Sequence, residues 1–173
     1  APSANRSGAV SPTCADHVAA SLGERVDLIL DGGTCAAGIE STIIALDPDG
    51  GWRVLRPGPI EATRISAILG PETTATTSTR IEAPGQLASH YAPGKPVRLD
   101  APMAAADEFH IGFGAIAGDA NLSPTGDLAE AASRLYATLH QAAADGRPRI
   151  AVAPIPETGM GVAIMDRLRR AAA

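Results

Sequence analysis

Four short stretches of the sequence carry polar side chains that could together bind a phosphorylated ligand. A triphosphate needs a planar cation and short hydroxyl or amide donors that converge where water is partly excluded. Arg56 could supply the cation, while Ser3, Asn5 and Thr13 could supply the short donors. A small amino acid would need a polar partner such as Ser41. The four stretches read SAN (residues 3–5), GIESTI (38–43), LRPG (55–58) and PGQLASHYAP (84–93).

Each of these side chains also has a simpler interpretation. Ser3 and Asn5 could form turn hydrogen bonds with their own backbone, and Thr13 could cap a helix. Ser41 could face solvent from a strand, and Arg56 could be an exposed charge at a strand end. No residue is assigned a catalytic role, and it is the presence of all four motifs in one chain that favours a binding site.

The region 71–96 shows neither helical nor strand periodicity and is rich in Thr, Pro and Gly. It is longer than the roughly 12–15 residues that compact domains usually leave without secondary structure. We therefore interpret it as an interdomain linker, an active-site loop, or both. His90 and Tyr91, near its end, would then help to close a site; the alternative is that they are only surface residues.

The composition indicates an α/β protein with little affinity for nucleic acid. The 173-residue chain is 45% hydrophobic but only 3% aromatic, so its core must consist mainly of Ala, Val, Ile and Leu. The formal net charge is −5. Proteins that neutralise phosphates normally carry a basic excess, so weak or no direct nucleic-acid binding is expected.

The cysteines and the hydropathy pattern indicate in which cellular compartment the protein is expected. Cys14 and Cys35 lack CxxC spacing and have no His at metal-ligand spacing, so we expect two free thiols and no metal site. No stretch approaches the roughly 20 apolar residues that span a bilayer, and no leader pattern is present. These features predict a cytoplasmic protein without membrane contact.

Residues 1–70 are predicted to form a first domain. A hydroxyl and a carboxylate three residues apart, beginning at Thr13, are typical of a capping box at a helix start. The apolar run RVDLILDGG is typical of a buried strand, and an Asp-Gly pair between two apolar runs predicts a hairpin. Pro59 is placed at the start of a helix. The expected elements are a helix at 13–23, a strand at 25–33, a hairpin at 41–57 and a helix at 59–70.

Residues 97–173 are predicted to form a second domain after the linker at 71–96. Strand and helix patterns alternate in this region, which predicts a parallel sheet covered by helices. Glycine-rich phosphate motifs are missing from it, so it is not marked as a nucleotide site of its own. The expected elements are a strand at 108–114, a helix at 126–146, a strand at 149–156 and a helix at 161–171.

Taken in order, the motifs resemble a known family. The stretches APSANRSG, GIESTI, WRVLRPG and APGQLASHYAP are similar to the second half of the YrdC-like domain of the threonylcarbamoyl-AMP synthase family. The last third of the chain resembles the extra C-terminal domain of that family's long form. The resemblance implies a partial YrdC-like twisted-sheet α/β domain followed by a smaller Rossmann-like α/β domain.

The resemblance also implies an activity. The family is a nucleotidyltransferase that makes threonylcarbamoyl-adenylate and pyrophosphate from L-threonine, bicarbonate and ATP, with ATP as a substrate accompanied by Mg²⁺. The product passes to the machinery that modifies tRNA. Matching positions imply one threonine contact, Ser41, and a role for His90 in the loop. The implied ATP contacts are Ser3, Asn5, Thr13, Arg56 and Tyr91.

The resemblance is incomplete in one respect. The family's N-terminal half, which carries a Lys/Arg-rich nucleotide motif, has no counterpart in this sequence, so we expect the chain alone to be inactive and to expose apolar surface. A different class of function, a non-catalytic RNA-binding or translation-associated module, is the alternative. The acidic charge and the lack of aromatic residues interleaved with Lys or Arg disfavour that alternative.

Overall fold

A computed structural model describes residues 3–48, 50–73, 82–85 and 87–173. The first 73 residues contain two short helices, a 3₁₀ turn and a hairpin, and a sheet with two longer helices follows. The elements are α1 (Ala15–Leu22), the 3₁₀ turn (Gly23–Arg25), β1 (Ile43–Leu46), β2 (Trp52–Arg56), α2 (Ala62–Leu69), β3 (Val97–Arg98), β4 (Glu108–Gly112), β5 (Ala120–Asn121), α3 (Leu128–Ala144), β6 (Arg149–Val152) and α4 (Met160–Ala172).

The second part of the chain contains a four-stranded parallel sheet in the order β3-β6-β4-β5. All five residues of β4 are buried, which suits a central strand of a parallel sheet covered on both faces. The strands and helices predicted at 108–114, 126–146, 149–156 and 161–171 are confirmed, and so is the α/β class. The two-residue strands β3 and β5 were not predicted, because two residues show no periodicity.

Residues from outside the predicted second domain also contribute to its core. Apolar residues of the sheet pack with Leu135 of α3 and Leu168 of α4, which are both fully buried. Val10, Ile39 and Tyr91 belong to the same cluster. The opening segment, the GIESTI segment and the linker are therefore packed on the unit formed by the four-stranded sheet, α3 and α4, which we call the sheet-and-helix unit. The domain limits 1–70, 71–96 and 97–173 stay a prediction.

The hairpin predicted at 41–57 is confirmed as the antiparallel pair β1-β2. The helix that follows begins at Ala62 rather than at Pro59, so the predicted start was wrong. The reason lies in Thr42, whose Oγ1 accepts a hydrogen bond from the Ile60 N–H at 3.0 Å and donates one to the Ile60 carbonyl at 2.7 Å. These bonds hold residue 60 against β1 and outside the helix.

Two other local predictions were wrong. Residues 26–33 form neither helix nor strand, and Leu28 and Leu30 are 74% and 84% exposed. A strand is stable only when a neighbouring strand accepts its hydrogen bonds, and no strand lies beside this run within the described residues. The capping box is absent as well, because the cap of α1 is Cys14 and its side chain makes no capping bond.

The part of the chain that the structure describes contains no helix long and apolar enough to cross a membrane. Cys14 and Cys35 are both free thiols. The predicted linker contains no helix or strand element at its described residues 71–73, 82–85 and 87–96. Its remaining residues, 74–81 and 86, lie outside the described part.

α1 packs against α3 through two stacked imidazole rings. The centroids of His17 and His140 are 3.9 Å apart. The Thr13 N–H donates to His17 Nδ1 at 3.2 Å, and His140 Nε2 lies 3.1 Å from the Ser11 carbonyl, to which it donates as the neutral Nε2–H tautomer. Burial lowers the pKa of both rings, and the charge of His140 lowers that of His17 further, against a smaller opposing effect of Asp16.

This pair makes stability depend on pH. The folded protein binds protons at His17 and His140 less tightly than the unfolded chain, so their contribution is complete above the ordinary histidine pKa of about 6.5 and is lost as the pH falls below it. We expect His140→Phe, which keeps a stacked ring but removes the charge, to make the free energy of unfolding less dependent on pH between about 7.5 and 5.5. Urea unfolding at the two pH values measures this dependence. An equal or steeper loss in the variant would contradict the assignment.

Candidate functional site

A cavity of about 500 Å³ lies where the opening loop, the GIESTI segment, the hairpin and the linker meet. Five of the seven residues predicted for a site line it: Ser3, Ser41, Arg56, His90 and Tyr91. Ser11, Glu40, Pro84 and Gly85 complete the lining. The structure thus brings together most of the residues that the four motifs singled out.

Asn5 and Thr13 are not among the residues that line this cavity. Asn5 Nδ2 donates to the carbonyls of Arg6 and Ala9, both at 3.0 Å, and so shapes the opening loop. Thr13 is buried, with its hydroxyl 3.2 Å from His17 Nδ1. In this structure both residues hold the wall of the cavity, and their contact with ATP stays a prediction.

Arg56 connects two sides of the cavity. Its Nε and Nη2 donate to the Ser41 carbonyl at 3.1 and 3.0 Å, Nη2 also reaches Ser41 Oγ at 3.3 Å, and Nη1 donates to the Pro84 carbonyl at 3.3 Å. These bonds use four of the five N–H groups of a guanidinium. Because Arg56 is only 8% exposed, the interpretation as a solvated strand-end charge does not hold.

Glu40 is the central polar residue of the site, and it was missed in the sequence. Ser11 Oγ donates to its Oε1 at 2.7 Å, and Tyr136 Oη lies 3.1 and 2.9 Å from its two carboxylate oxygens. Arg167 Nε donates to Oε2 at 3.2 Å. Tyr136 and Arg167 are 96 and 127 residues away in sequence, on α3 and α4, so no local pattern could connect them with Glu40.

The charges around Glu40 keep it ionised. Burial alone would raise the pKa of its carboxyl group, but the Ser11 hydrogen bond, the Arg167 charge and the Tyr136 hydroxyl outweigh burial and lower the pKa. Burial raises the pKa of Tyr136, which therefore remains a hydrogen-bond donor. The result is a carboxylate whose oxygens all face donors of the protein.

Arg167 carries the opposite charge and is wholly buried, with 0% exposure. Its Nη1 donates to the Pro57 carbonyl at 2.6 Å and to Asp166 Oδ2 at 3.1 Å. One signal in the sequence could have identified it. Arg167 lies three residues after Ile164 and four after Ala163 on the apolar face of α4, and a cation on such a face needs a buried partner.

His90 and Tyr91 are not exposed at the tip of a surface loop. Tyr91 is 1% exposed; its ring lies 5.4 Å from that of Tyr136, and the Arg167 guanidinium is 5.7 Å from its centroid. The His90 N–H donates to the Arg170 carbonyl at 3.0 Å. Burial lowers the pKa of His90 and raises that of Tyr91, so both are neutral near pH 7.

Gly38 brings the GIESTI segment close enough to form these contacts. It has a positive φ of 69°, and a Cβ at this position would lie 2.4 Å from Ser133 Cα on α3. Only glycine permits both the backbone angle and the close approach. Glu40, two residues later, can therefore reach Tyr136 on the same helix.

A second cavity, of about 410 Å³, lies between the hairpin, α2 and the start of α4. Its lining is mostly apolar, and Glu61 and Glu72 are its charged residues among those described. It includes none of the residues predicted for a site, and a carboxylate-bearing apolar cavity does not suit a polyphosphate. Within the described residues, no three His, Cys, Asp or Glu side chains are grouped to hold a metal ion.

Comparison with known proteins places the chain in a family. Residues 60–173 match the family described as "Threonylcarbamoyl-AMP synthase, C-terminal domain", and residues 1–58 match the one described as "Telomere recombination". The chain belongs to the threonylcarbamoyl-AMP synthase family. The resemblance seen in the motifs is thereby confirmed.

Several curated members of the family are similar to this chain. It is 32% identical to threonylcarbamoyl-AMP synthase of Bacillus subtilis and 31% identical to that of Pyrococcus abyssi. Each alignment covers 99% of this chain and 56% of the relative. The chain therefore spans about half the length of these threonylcarbamoyl-AMP synthases.

Solved structures show the same relationship. The crystal structure of P. abyssi Sua5 in complex with L-threonine matches with a TM-score of 0.81 and 28% identity. A variant of P. abyssi Sua5 in which a histidine and a tyrosine are replaced by alanine matches with a TM-score of 0.79 and 28% identity. Both matches cover 99% of this chain and 56% of the other chain.

The ion pair at the centre of the site leads to a stability prediction. Removing one partner of a fully buried pair typically costs about 3–5 kcal/mol, because the other charge is left without compensation. The Glu40 carboxylate borders the cavity, so we expect Glu40→Ala to lower the free energy of unfolding by about 3 kcal/mol, the low end of that range. Glu40→Gln, which keeps an acceptor, should cost less.

Urea unfolding of the purified chain measures both losses. Glu157→Ala is a suitable control, because that carboxylate forms a well-exposed ion pair with Arg169, and pairs of this kind contribute little to stability. If Glu40→Ala lowers the free energy of unfolding no more than the control does, Glu40 does not compensate the buried charge of Arg167.

Proposed function

We propose that the protein is an L-threonylcarbamoyladenylate synthase, a nucleotidyltransferase that joins L-threonine, bicarbonate and ATP and releases pyrophosphate. The observation that supports this best is the cavity itself, where the motifs of the threonylcarbamoyl-AMP synthase family meet around Ser41, Arg56 and Tyr91. The similarity to a Sua5 structure determined with L-threonine supports threonine as the amino acid.

The proposed reaction determines which residues of the cavity would contact each substrate. The threonine amine attacks bicarbonate and water leaves, which gives a carbamate; a carbamate oxygen then attacks the α-phosphate of ATP while pyrophosphate leaves. Ser41 is proposed to contact threonine. Ser3, Asn5, Thr13, Arg56 and Tyr91 are proposed to contact ATP, and Mg²⁺ would accompany the triphosphate as part of the substrate.

The linker has a proposed role in excluding water. Carbamates and mixed anhydrides hydrolyse readily, so the site must be covered during the reaction. His90 and Tyr91 already border the cavity, and Gly85 approaches so closely that a Cβ there would lie 2.4 Å from Tyr91 Oη.

The product is proposed to pass to the tRNA-modifying machinery, with weak or no direct nucleic-acid binding by this chain and a cytoplasmic location. An RNA-binding module is not favoured. The net charge is −5, whereas proteins that bind nucleic acid through its phosphates normally carry a basic excess.

We propose that this chain alone is inactive, because it covers only 56% of the length of the relatives and has no counterpart of the family's Lys/Arg-rich nucleotide motif. We expect pyrophosphate release, dependent on threonine and bicarbonate, from a protein of the relatives' full length that contains this sequence, and none above background from the 173 residues alone. A coupled pyrophosphate assay with omission of each substrate measures the reaction. Turnover by the isolated chain would contradict this expectation, and an inactive full-length protein would contradict the proposed function.

Arg56 allows the ATP assignment to be tested. Loss of a charge-assisted contact typically costs about 1.5–3 kcal/mol, so Arg56→Ala should lower kcat/KM for ATP by roughly ten-fold to a hundred-fold. Arg56→Lys should recover only part, because an ammonium cannot replace a planar fork that bonds Ser41 and Pro84 together. Unchanged ATP kinetics in both variants would remove Arg56 from the nucleotide site. A matched control is Arg53→Ala, on the same strand and outside the cavity.

A further inference from the structure

α4 lies in the sheet-and-helix unit, yet two of its arginines contact segments that form the cavity. Arg167 bonds Glu40 of the GIESTI segment and the Pro57 carbonyl of the LRPG segment. Arg170 donates to the Leu87 carbonyl of the linker at 2.7 Å. Asp166 accepts from both arginines and fixes them relative to each other. This helix therefore holds three separate segments around one site.

Of these contacts, those of Arg167 are buried most deeply. The side chain is not among the residues that line the cavity, so any effect on a ligand must pass through the groups it holds. A planar guanidinium fixes both direction and distance for its acceptors. Here one guanidinium sets the separation between Glu40 and Pro57, which in sequence precede and follow Ser41 and the hairpin.

Glu40 lines the cavity, but three donors of the protein already bond its carboxylate. An ionised carboxylate has about four lone-pair sites. Ser11 donates to Oε1, Arg167 donates to Oε2, and the single hydroxyl proton of Tyr136 is shared between the two oxygens. Glu40 is thus an anchor for the backbone that follows it, and the next residue is Ser41, the proposed threonine contact.

We infer that Arg167 is a positioning residue for the part of the cavity around Ser41, where threonine is proposed to bind. It holds Glu40 and Pro57 in place and thereby sets the position of Ser41, so the C-terminal unit completes the threonine site. The inference rests on the proposed function for the identity of the ligand. The inference that Arg167 positions residues 39–43 does not depend on the proposed function.

A purely structural ion pair would behave differently. Its loss would lower stability and reduce the amount of folded enzyme, which changes kcat without a selective effect on one substrate. Loss of a positioning contact next to Ser41 should raise the KM for threonine more than the KM for ATP. The comparison between the two substrates therefore separates the two roles.

The test uses the full-length protein with Arg167→Met, Arg167→Lys and the control Arg169→Met. Arg169 lies on the same helix, pairs with Glu157 and is 54% exposed, so it shares the residue type but not the site. We expect Arg167→Met to raise the KM for threonine by about ten-fold or more and the KM for ATP by less than about three-fold. The KM of Arg167→Lys for threonine should lie between those of Arg167→Met and the wild type, because an ammonium can bond only some of the groups that the guanidinium bonds.

A second measurement does not require activity. Amide hydrogen exchange across residues 39–43 should be at least about ten-fold faster in Arg167→Met than in the wild type, and unchanged in Arg169→Met. If Arg167→Met does not fold, Arg167→Lys and Tyr136→Phe, which removes one donor to Glu40 and keeps the ion pair, decide the question by the same two measurements.

The outcomes separate the inference from the proposed function. Unchanged exchange across 39–43, or equal rises in the KM for threonine and for ATP, overturns the positioning role. Faster exchange together with a selective rise in the KM for threonine supports it. A wild-type protein without synthase activity overturns the proposed function, while the exchange measurement still decides whether Arg167 positions the segment.

Discussion

The ion pair between Glu40 and the buried Arg167 is the interaction on which the arrangement of the site depends. Two ions removed from water are costly unless their attraction and their remaining hydrogen bonds compensate for the lost hydration. Here compensation comes from Ser11, Tyr136 and the Pro57 carbonyl, contributed by the opening segment, α3 and the LRPG segment. None of these contacts can form until distant parts of the chain have packed together, so the site and the fold are stabilised by the same bonds.

This dependence explains why the sheet-and-helix unit and the cavity are parts of one structure. The core of the parallel sheet includes Val10, Ile39 and Tyr91. Apolar packing brings the segments into contact, and the polar network then fixes their orientation, since hydrogen bonds are directional and apolar contacts are not. The cavity is accordingly lined by residues of both matched regions, 1–58 and 60–173.

The sequence predicted helices and strands well where the hydrophobic periodicity extended over many residues or where a characteristic turn motif was present. The helix Leu128–Ala144 and the hairpin around the Asp-Gly pair show this. It failed at residues 26–33, because an apolar run forms a strand only beside a partner, and at Pro59, because the tertiary bonds of Thr42 set the helix start. Ser41 and Arg56 were singled out because their types suit phosphate and amino-acid chemistry, and both line the cavity. Glu40 was missed because its partners are on distant helices.

The most direct test of the central claim is a double-mutant cycle in the full-length protein, with Glu40→Gln, Arg167→Met and the pair, read as kcat/KM for threonine. If the two side chains act as one unit, the double variant should be impaired about as much as the worse single variant, so that the effects are far from additive. Losses that multiply independently would show that Arg167 does not act through Glu40, and would contradict the account.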